Sequence, residues 1–293
     1  QDGRISLNAA AAGRMLDIRV ATLPTVEGEA VTMRLLDKSR EVPTLGSLGL
    51  SDRMSKQMDA ILARPTGALL VTGPTGSGKS TTLYAALNAI SRPEINIITV
   101  EDPVEYRLGG VSQVQINPRA GLSFATALRS IVRSDPDVIM VGEIRDGETA
   151  QISIEAALTG HFVLSTLHTN DAPSAITRLT EMGVEPFLTG AAVSAVLAQR
   201  LARKLCPDCA ESYTPTFDEL HGLHLSQDMA VALDGVAFRR RRGCARCGQT
   251  GYRGRAGGSR LRCIRDRRKR VEDEKAVTEG VERGGRRISK KKM

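Results

Sequence analysis

Ala68, Leu69, Leu70 and Val71 form an unbroken apolar run, and downstream Leu83, Ala86, Leu87 and Ile90 recur at helical spacing. A short continuous run reads as a buried strand and the three-to-four spacing as one face of a helix, so Ala68 to Ile90 predicts strand, turn and helix. Residues 1 to about 45 follow a different period. Leu16, Ile18 and Val20 alternate with Asp17 and Arg19, and Val31, Met33 and Leu35 with Thr32 and Arg34, which is strand patterning. Pro43 to Gly49 reads as a linker. From Leu50 strands alternate with helices, which predicts a largely parallel sheet with helices on both faces. The further strands are Ile95 to Val100, Val138 to Val141 and Phe162 to Leu167. Ser123 caps a helix with Phe124, Ala127, Leu128 and Ile131 on one face, which Pro136 breaks; Asp146 caps another that stops near Gly160, and Asp171 with Pro173 opens a third. The most apolar window, Phe187 to Ala198, is 12 residues long and stops at Gln199-Arg200, too short to span a bilayer.

The turn between the first strand and its helix reads Gly73-Pro74-Thr75-Gly76-Ser77-Gly78-Lys79-Ser80, followed by Thr81. Its glycines let the backbone bend until N–H groups point inward around phosphate oxygens, and the helix that starts there adds its positive dipole end. Lys79 then reaches the β- and γ-phosphates, and the Ser80 hydroxyl completes a Mg²⁺ shell. A glycine-rich turn that binds nothing is the bland alternative. The strand before and the helix after it are the context that separates the two.

ATP chemistry also needs an acid to support Mg²⁺, a group to orient water and positive charge for the leaving phosphate. The strand ends supply Glu101-Asp102-Pro103-Val104-Glu105, Gly142-Glu143 and His168, at the edge where open α/β sheets bind ligands. Glu143 is placed as the metal-supporting acid. Among the first cluster Glu101, nearest its strand end, is favoured as the water activator. His168 can donate to a γ-phosphate as a neutral imidazole, whereas His161 reads as structural. The alternative is that these acids cap helices or pair with Arg133 and Arg145.

Composition changes little of this. The net charge of +8 suggests nucleic acid until it is located: residues 255–293 hold 15 Lys/Arg against 6 Asp/Glu, a net of +9, so the rest of the chain carries −1. With aromatics at 3% and no Trp, stacking platforms are scarce. A nucleic-acid motor and an inactive nucleotide-binding scaffold remain the competing readings. The chain starts at Gln1 without a charged-then-apolar leader, which reads as a cytoplasmic fragment. Four of the five cysteines form two C-x-x-C pairs, Cys206/Cys209 and Cys244/Cys247, separated by 34 residues. That is the form of a closed Cys₄ zinc site, with a structural role in a loop-rich excursion. Cys263 lies outside the pairs.

Together, GPTGSGKS, ITVEDPVEY, SDPDVIMVGEIRD, GHFVLSTLHTNDAPSA and the paired cysteines resemble the type II secretion and type IV pilus assembly ATPases, the GspE/PulE/PilB group. The resemblance runs from about Asp2 to Gly254. It implies a RecA-like P-loop NTPase core of the α/β class, Mg-ATP hydrolysis and a homo-hexameric ring. It further implies arginines from the preceding domain completing the nucleotide site, here drawn from Arg4, Arg14, Arg19 and Arg34. A cytoplasmic motor held at the inner membrane by a polytopic platform protein, driving pilin or pseudopilin polymerisation, follows from the same likeness. The expected layout is residues 1–45 as the last part of an arginine-supplying, β-rich (α+β) domain with its linker, 46–204 as the ATPase domain, 205–254 as the zinc module and 255–293 as a basic, disordered tail. Three departures stand out. The group's N-terminal docking domains are absent, and Gly28-Glu29-Ala30 stands where Gly-Glu-Arg is usual. After Gly254 a basic tail replaces an apolar helical part, a switch that a shifted reading frame produces and resequencing of the coding DNA tests.

Overall fold

The computed structural model describes residues 2–9, 14–37, 42–216, 219–220, 233 and 236–264. They group into two compact units, Arg200–Gly258 and the remainder. In the larger unit, β1 (Asp2–Ala9), β2 (Arg14–Thr25) and β3 (Gly28–Asp37) pair antiparallel in that order. The period-two pattern yields these strands, but it does not yield an apolar face turned inward. Ile5, Leu7, Val31, Met33 and Leu35 are exposed, while Asp17 on the alternate set is buried and Arg19 is half-buried.

The second sheet has seven strands. In it β4 (Gly67–Thr72), β5 (Ile97–Glu101), β6 (Val111–Gln115), β7 (Val138–Val141), β8 (Phe162–Leu167), β9 (Val193–Leu205) and β12 (Tyr252–Cys263) stand in the order β12-β9-β4-β8-β7-β5-β6. The pairings β9-β4, β4-β8, β8-β7, β7-β5 and β5-β6 are all parallel. Strands β4, β5, β7 and β8 are buried along their whole lengths. Alternate residues of β4 feed opposite faces: Ala68 and Leu70 join one apolar cluster, Leu69 and Val71 another. Helices α1 (Asp52–Leu62) and α2 (Lys79–Ile90) cover the second cluster. The first is covered by α3 (Phe124–Ile131), α4 (Gly147–Leu158), α5 (Ala172–Glu181) and α6 (Pro186–Ala192). An element sandwiched between helices on both sides must be apolar on both sides, which is why these strands read as continuous runs.

The caps sit where side-chain chemistry demands them. The side chains of Ser123, Asp146 and Asp171 accept from the N–H groups of Thr126, Thr149 and Ser174, the third residue of each helix. Helix α2 is buried more deeply than one face: Thr82, Tyr84 and Ala85 are covered along with Leu83, Ala86, Leu87 and Ile90. Two expectations are corrected. Part of the linker at Pro43 to Gly49 is a 3₁₀ turn, Leu45–Leu48, with Leu45 packed on the α1/α2 cluster. The expected disordered tail begins as strand instead, because Leu261 and Cys263 pack against the apolar core and the Ile264 N–H donates to the Ser194 carbonyl at 2.9 Å. The rest of that tail, 265–293, lies outside the described residues.

In the smaller unit, β10 (Glu211–Tyr213) pairs with β11 (Phe238–Arg240). Tyr252 stacks beneath the Arg203 guanidinium, 4.0 Å from the ring centroid. Among the described residues no helix is long and apolar enough to cross a membrane.

Candidate active site

Because β4, β8, β7 and β5 are mutually parallel, their carboxyl ends share one edge, and the strand order fixes how far each end lies from the glycine turn. At about 4.8 Å per strand, β8 is one step from β4, β7 two and β5 three, roughly 14 Å away. The turn after β4 is built as the sequence predicts. Gly73, Gly76 and Gly78 have φ of 148°, 76° and 87°, all positive values that glycine adopts without steric cost. A Cβ on Gly73 would meet the Gln199 carbonyl oxygen at 2.3 Å and Ser77 Oγ at 2.6 Å. Pro74, Thr75, Gly76 and Ser80 are exposed, Gly78 and Thr81 partly so. Ser77 Oγ is buried without a hydrogen-bond partner among the described residues. An orphaned buried hydroxyl in a glycine turn that opens a helix fits an anion that would accept from it.

Lys79 is 8% exposed. Its Nζ donates to the Gly73 carbonyl at 2.9 Å and the Pro74 carbonyl at 3.3 Å. Burial lowers its pKa from 10.5, and the Glu143 charge opposes that shift. Nζ also stands 3.5 Å from His168 Nδ1, and His168 Nε2 stands 3.3 Å from Glu143 Oε2. An ammonium can only donate, so Nδ1 accepts and the ring proton resides on Nε2, facing the carboxylate. Glu143 is only 14% exposed and its other oxygen pairs with Arg145, whose own pKa is raised chiefly by that hydrogen bond. Lys79, His168, Glu143 and Arg145 therefore form one continuous line from the phosphate turn across two strand ends.

Small rungs hold those ends in step. The Thr72 hydroxyl donates to the Thr169 carbonyl at 2.8 Å, tying β4 to the turn after β8. Thr166 Oγ1 donates to the Gly142 carbonyl at 2.9 Å and Ser165 Oγ to the Val141 carbonyl at 2.8 Å, tying β8 to β7. Sequence reasoning passed over these hydroxyls and named Arg145 only in the alternative in which the strand-end acids pair with it, as Glu143 does. Their signal was polar residues closing otherwise apolar strands.

Glu101 is not brought to this line. It is 3% exposed at the end of β5. Its carboxylate accepts from the Tyr84 hydroxyl, from Thr99 Oγ1 at 2.6 Å and from Gln113 Nε2 at 3.0 Å. Both oxygens are engaged by neighbours on α2, β5 and β6, so Glu101, expected as the water activator, stands apart from the Lys79 line and anchors these elements to one another. Glu105 instead faces the first sheet, with Oε1 3.5 Å from Arg19 Nη2. Register places Arg4, Arg19 and Arg34 in one row across β1, β2 and β3, while Arg14 pairs with Ala9 at the end of the hairpin. His161 is structural, as expected: its Nδ1 lies 3.0 Å from the Ala156 carbonyl.

In the smaller unit, Cys206, Cys209, Cys244 and Cys247 bring their sulfur atoms within 4.8 Å of one another. The pairs 206–244 and 209–247 are 3.9 Å apart and 244–247 is 3.7 Å. A tetrahedron of sulfurs about 2.3 Å from one zinc has edges of about 3.8 Å, so the set fits the ion. The N–H groups of Cys244 and Gly251 donate to Cys247 Sγ, each at 3.2 Å. Burial works against its thiolate, but those donors prevail and bring its pKa down from 9.0 to about 6.

A family model described as Type II/IV secretion system protein matches residues 1–292. Type II secretion system protein E of Klebsiella pneumoniae is 52% identical over 267 residues, 91% of this chain and 52% of that protein. The type IV pilus assembly ATPase PilB of Thermus thermophilus is 50% identical over 255 residues, 87% of this chain and 28% of that protein. The chain thus spans about half the length, or less, of these curated relatives. Among solved structures, the pilus retraction motor PilT with bound ADP superposes with a TM-score of 0.64 at 27% identity, covering 96% of this chain and 69% of that one.

Proposed function

The chain belongs to the Type II/IV secretion system protein family, and from that membership we propose that it is the Mg-ATP-hydrolysing core of a homo-hexameric motor that powers pilin or pseudopilin assembly. The observation that carries the proposal is the Lys79–His168–Glu143–Arg145 line beginning at the glycine turn. Relatives named as secretion or pilus ATPases, and a PilT structure with bound ADP, support it.

Within this reading the backbone of Gly73 to Gly78 and the Ser77 hydroxyl cradle phosphate oxygens. Lys79 exchanges the Gly73 and Pro74 carbonyls for the γ-phosphate, a stronger acceptor. Ser80, exposed at the head of α2, holds Mg²⁺, which supplies charge neutralisation to the departing phosphate. Glu143 supports the metal and is the group best placed to orient water. His168, held between Lys79 and Glu143, senses whether the terminal phosphate is present. Arg4, Arg19 and Arg34 share a cross-strand row. With Arg14, this row supplies the candidates for completing a neighbour's site. The four cysteines hold a structural Zn²⁺. Docking is on a platform protein at the inner face of the cytoplasmic membrane.

The test is Lys79→Ala, with ATP turnover measured as a function of protein concentration and mass determined in parallel. Turnover should appear with assembly in the unsubstituted chain and vanish in the variant. Undiminished hydrolysis in the variant would remove the glycine turn from the mechanism.

A further inference from the structure

We propose that Tyr84 is a positioning residue that links the phosphate turn to the 101–106 turn and, through Glu105, to Arg19 of the first sheet. The proposal rests on the nucleotide reading above. Tyr84 lies on α2, five residues after Lys79 and 1% exposed. A helix rises 1.5 Å per residue, so the Tyr84 Cα stands about 7.5 Å along the helix axis from that of the lysine. Its hydroxyl donates to Glu101 and accepts from the backbone N–H groups of Glu105 at 3.0 Å and Tyr106 at 3.3 Å. The Tyr106 ring meets its edge, with centroids 5.1 Å apart at 72°.

The far side of the turn is held as tightly. Gln113 Nε2 donates to Glu101 and to the Tyr106 carbonyl at 2.9 Å, and Gln113 Oε1 accepts from the Leu108 N–H at 2.9 Å. Three hydrogen bonds thus converge on one phenolic oxygen, and a displacement of α2 must stretch them or move the turn. The turn carries Glu105, which reaches Arg19. Arg19 Nη2 is buried without a hydrogen bond of good geometry, so the 3.5 Å ion pair with Glu105 is the contact through which that nitrogen is held. Phenylalanine would fill the same space, so the hydroxyl itself is what the link requires. An anion drawn into the phosphate turn pulls on the first turn of α2, and Tyr84 passes that pull to the arginine row.

The experiment is hydrogen–deuterium exchange of the full chain with and without ADP, alongside calorimetric ADP titration. In the unsubstituted chain ADP should slow exchange of the 105 and 106 amides. In Tyr84→Phe the ADP Kd should stay within about threefold, while those two amides exchange at least tenfold faster and no longer respond to ADP. A response retained in Tyr84→Phe overturns the proposal, and so does the absence of any response in an unsubstituted chain that binds ADP. Glu105→Ala, which leaves the backbone donors and the core intact, is the second arm. It should keep the response at 105 and 106 but abolish the ADP effect on amides flanking Arg19, and persistence of that effect would sink the route through Glu105. Failure of the unsubstituted chain to bind ADP would instead end the nucleotide reading, and the link with it.

Discussion

Replacing Gly73 by alanine should damage this protein far more than the same change at Gly76, three residues away in the same turn. Both glycines have positive φ, 148° and 76°. At Gly76 nothing lies within 4 Å of a new Cβ, so the cost is the left-handed conformation alone, about 1–2 kcal/mol. At Gly73 the conformation is one essentially reserved for glycine, costing about 1–3 kcal/mol. The new methyl also lands 2.3 Å from the Gln199 carbonyl oxygen and 2.6 Å from Ser77 Oγ. The serine can rotate, but the carbonyl is backbone of β9, directly beside β4 in the sheet. Overpacking of this kind adds about 1–3 kcal/mol, for a total of about 2–6 against a domain stability of about 5–15 kcal/mol. Urea unfolding followed by far-ultraviolet circular dichroism measures it, the chain having no Trp to report by fluorescence. With a denaturant slope of about 3 kcal/mol/M, the midpoint should fall by about 1.3 M for Gly73→Ala and about 0.5 M for Gly76→Ala. Equal midpoints for the two variants, or a larger loss at Gly76, would show that the close approach of β9 to the phosphate turn is not what confines residue 73.

Two further outcomes separate the acids and define the metal. Glu143→Gln should lower kcat by about 10²–10³ with ADP affinity little changed, the size expected when an electrostatic contribution to the transition state is removed. Glu101→Gln should instead cost about 1–3 kcal/mol of stability, since it sets an amide donor against the three donors that now converge on the carboxylate; matching kinetic profiles with no loss of stability would refute the division. Elemental analysis should find one zinc per chain, and Cys209→Ser should open residues 206–247 to protease, whereas a metal-free preparation with unchanged resistance would speak against the site. Because the Cys247 pKa is lowered, its thiolate supports the metal-free unit fully above about 9.0 and that support disappears as pH falls through about 6. Zinc retention should weaken over the same acidic range, and retention unchanged well below it would contradict thiolate ligation.

The sequence by itself determined the local chemistry. An apolar run, a glycine-punctuated turn and a periodic helix specify the phosphate turn, because strand burial, positive φ and helix amphipathicity are each properties of a few neighbouring residues. The caps at Ser123, Asp146 and Asp171 and the two cysteine pairs were legible for the same reason. Only the tertiary structure decided which strand ends meet. Position 101 follows the turn by fewer residues than position 143 or 168, yet β8 and β7 lie between β4 and β5. The imidazole therefore reaches Lys79 and Glu143 reaches the imidazole, while Glu101 closes on Tyr84. Strand order also gave Arg255 to Cys263 a sheet to join, although their own composition looked disordered, and turned Asp17 and Arg19 inward while Ile5, Leu7, Val31, Met33 and Leu35 on the opposite face are exposed. Such outcomes depend on pairing between segments far apart in the chain, and no window of local sequence carries the energy of a contact whose partner lies outside it.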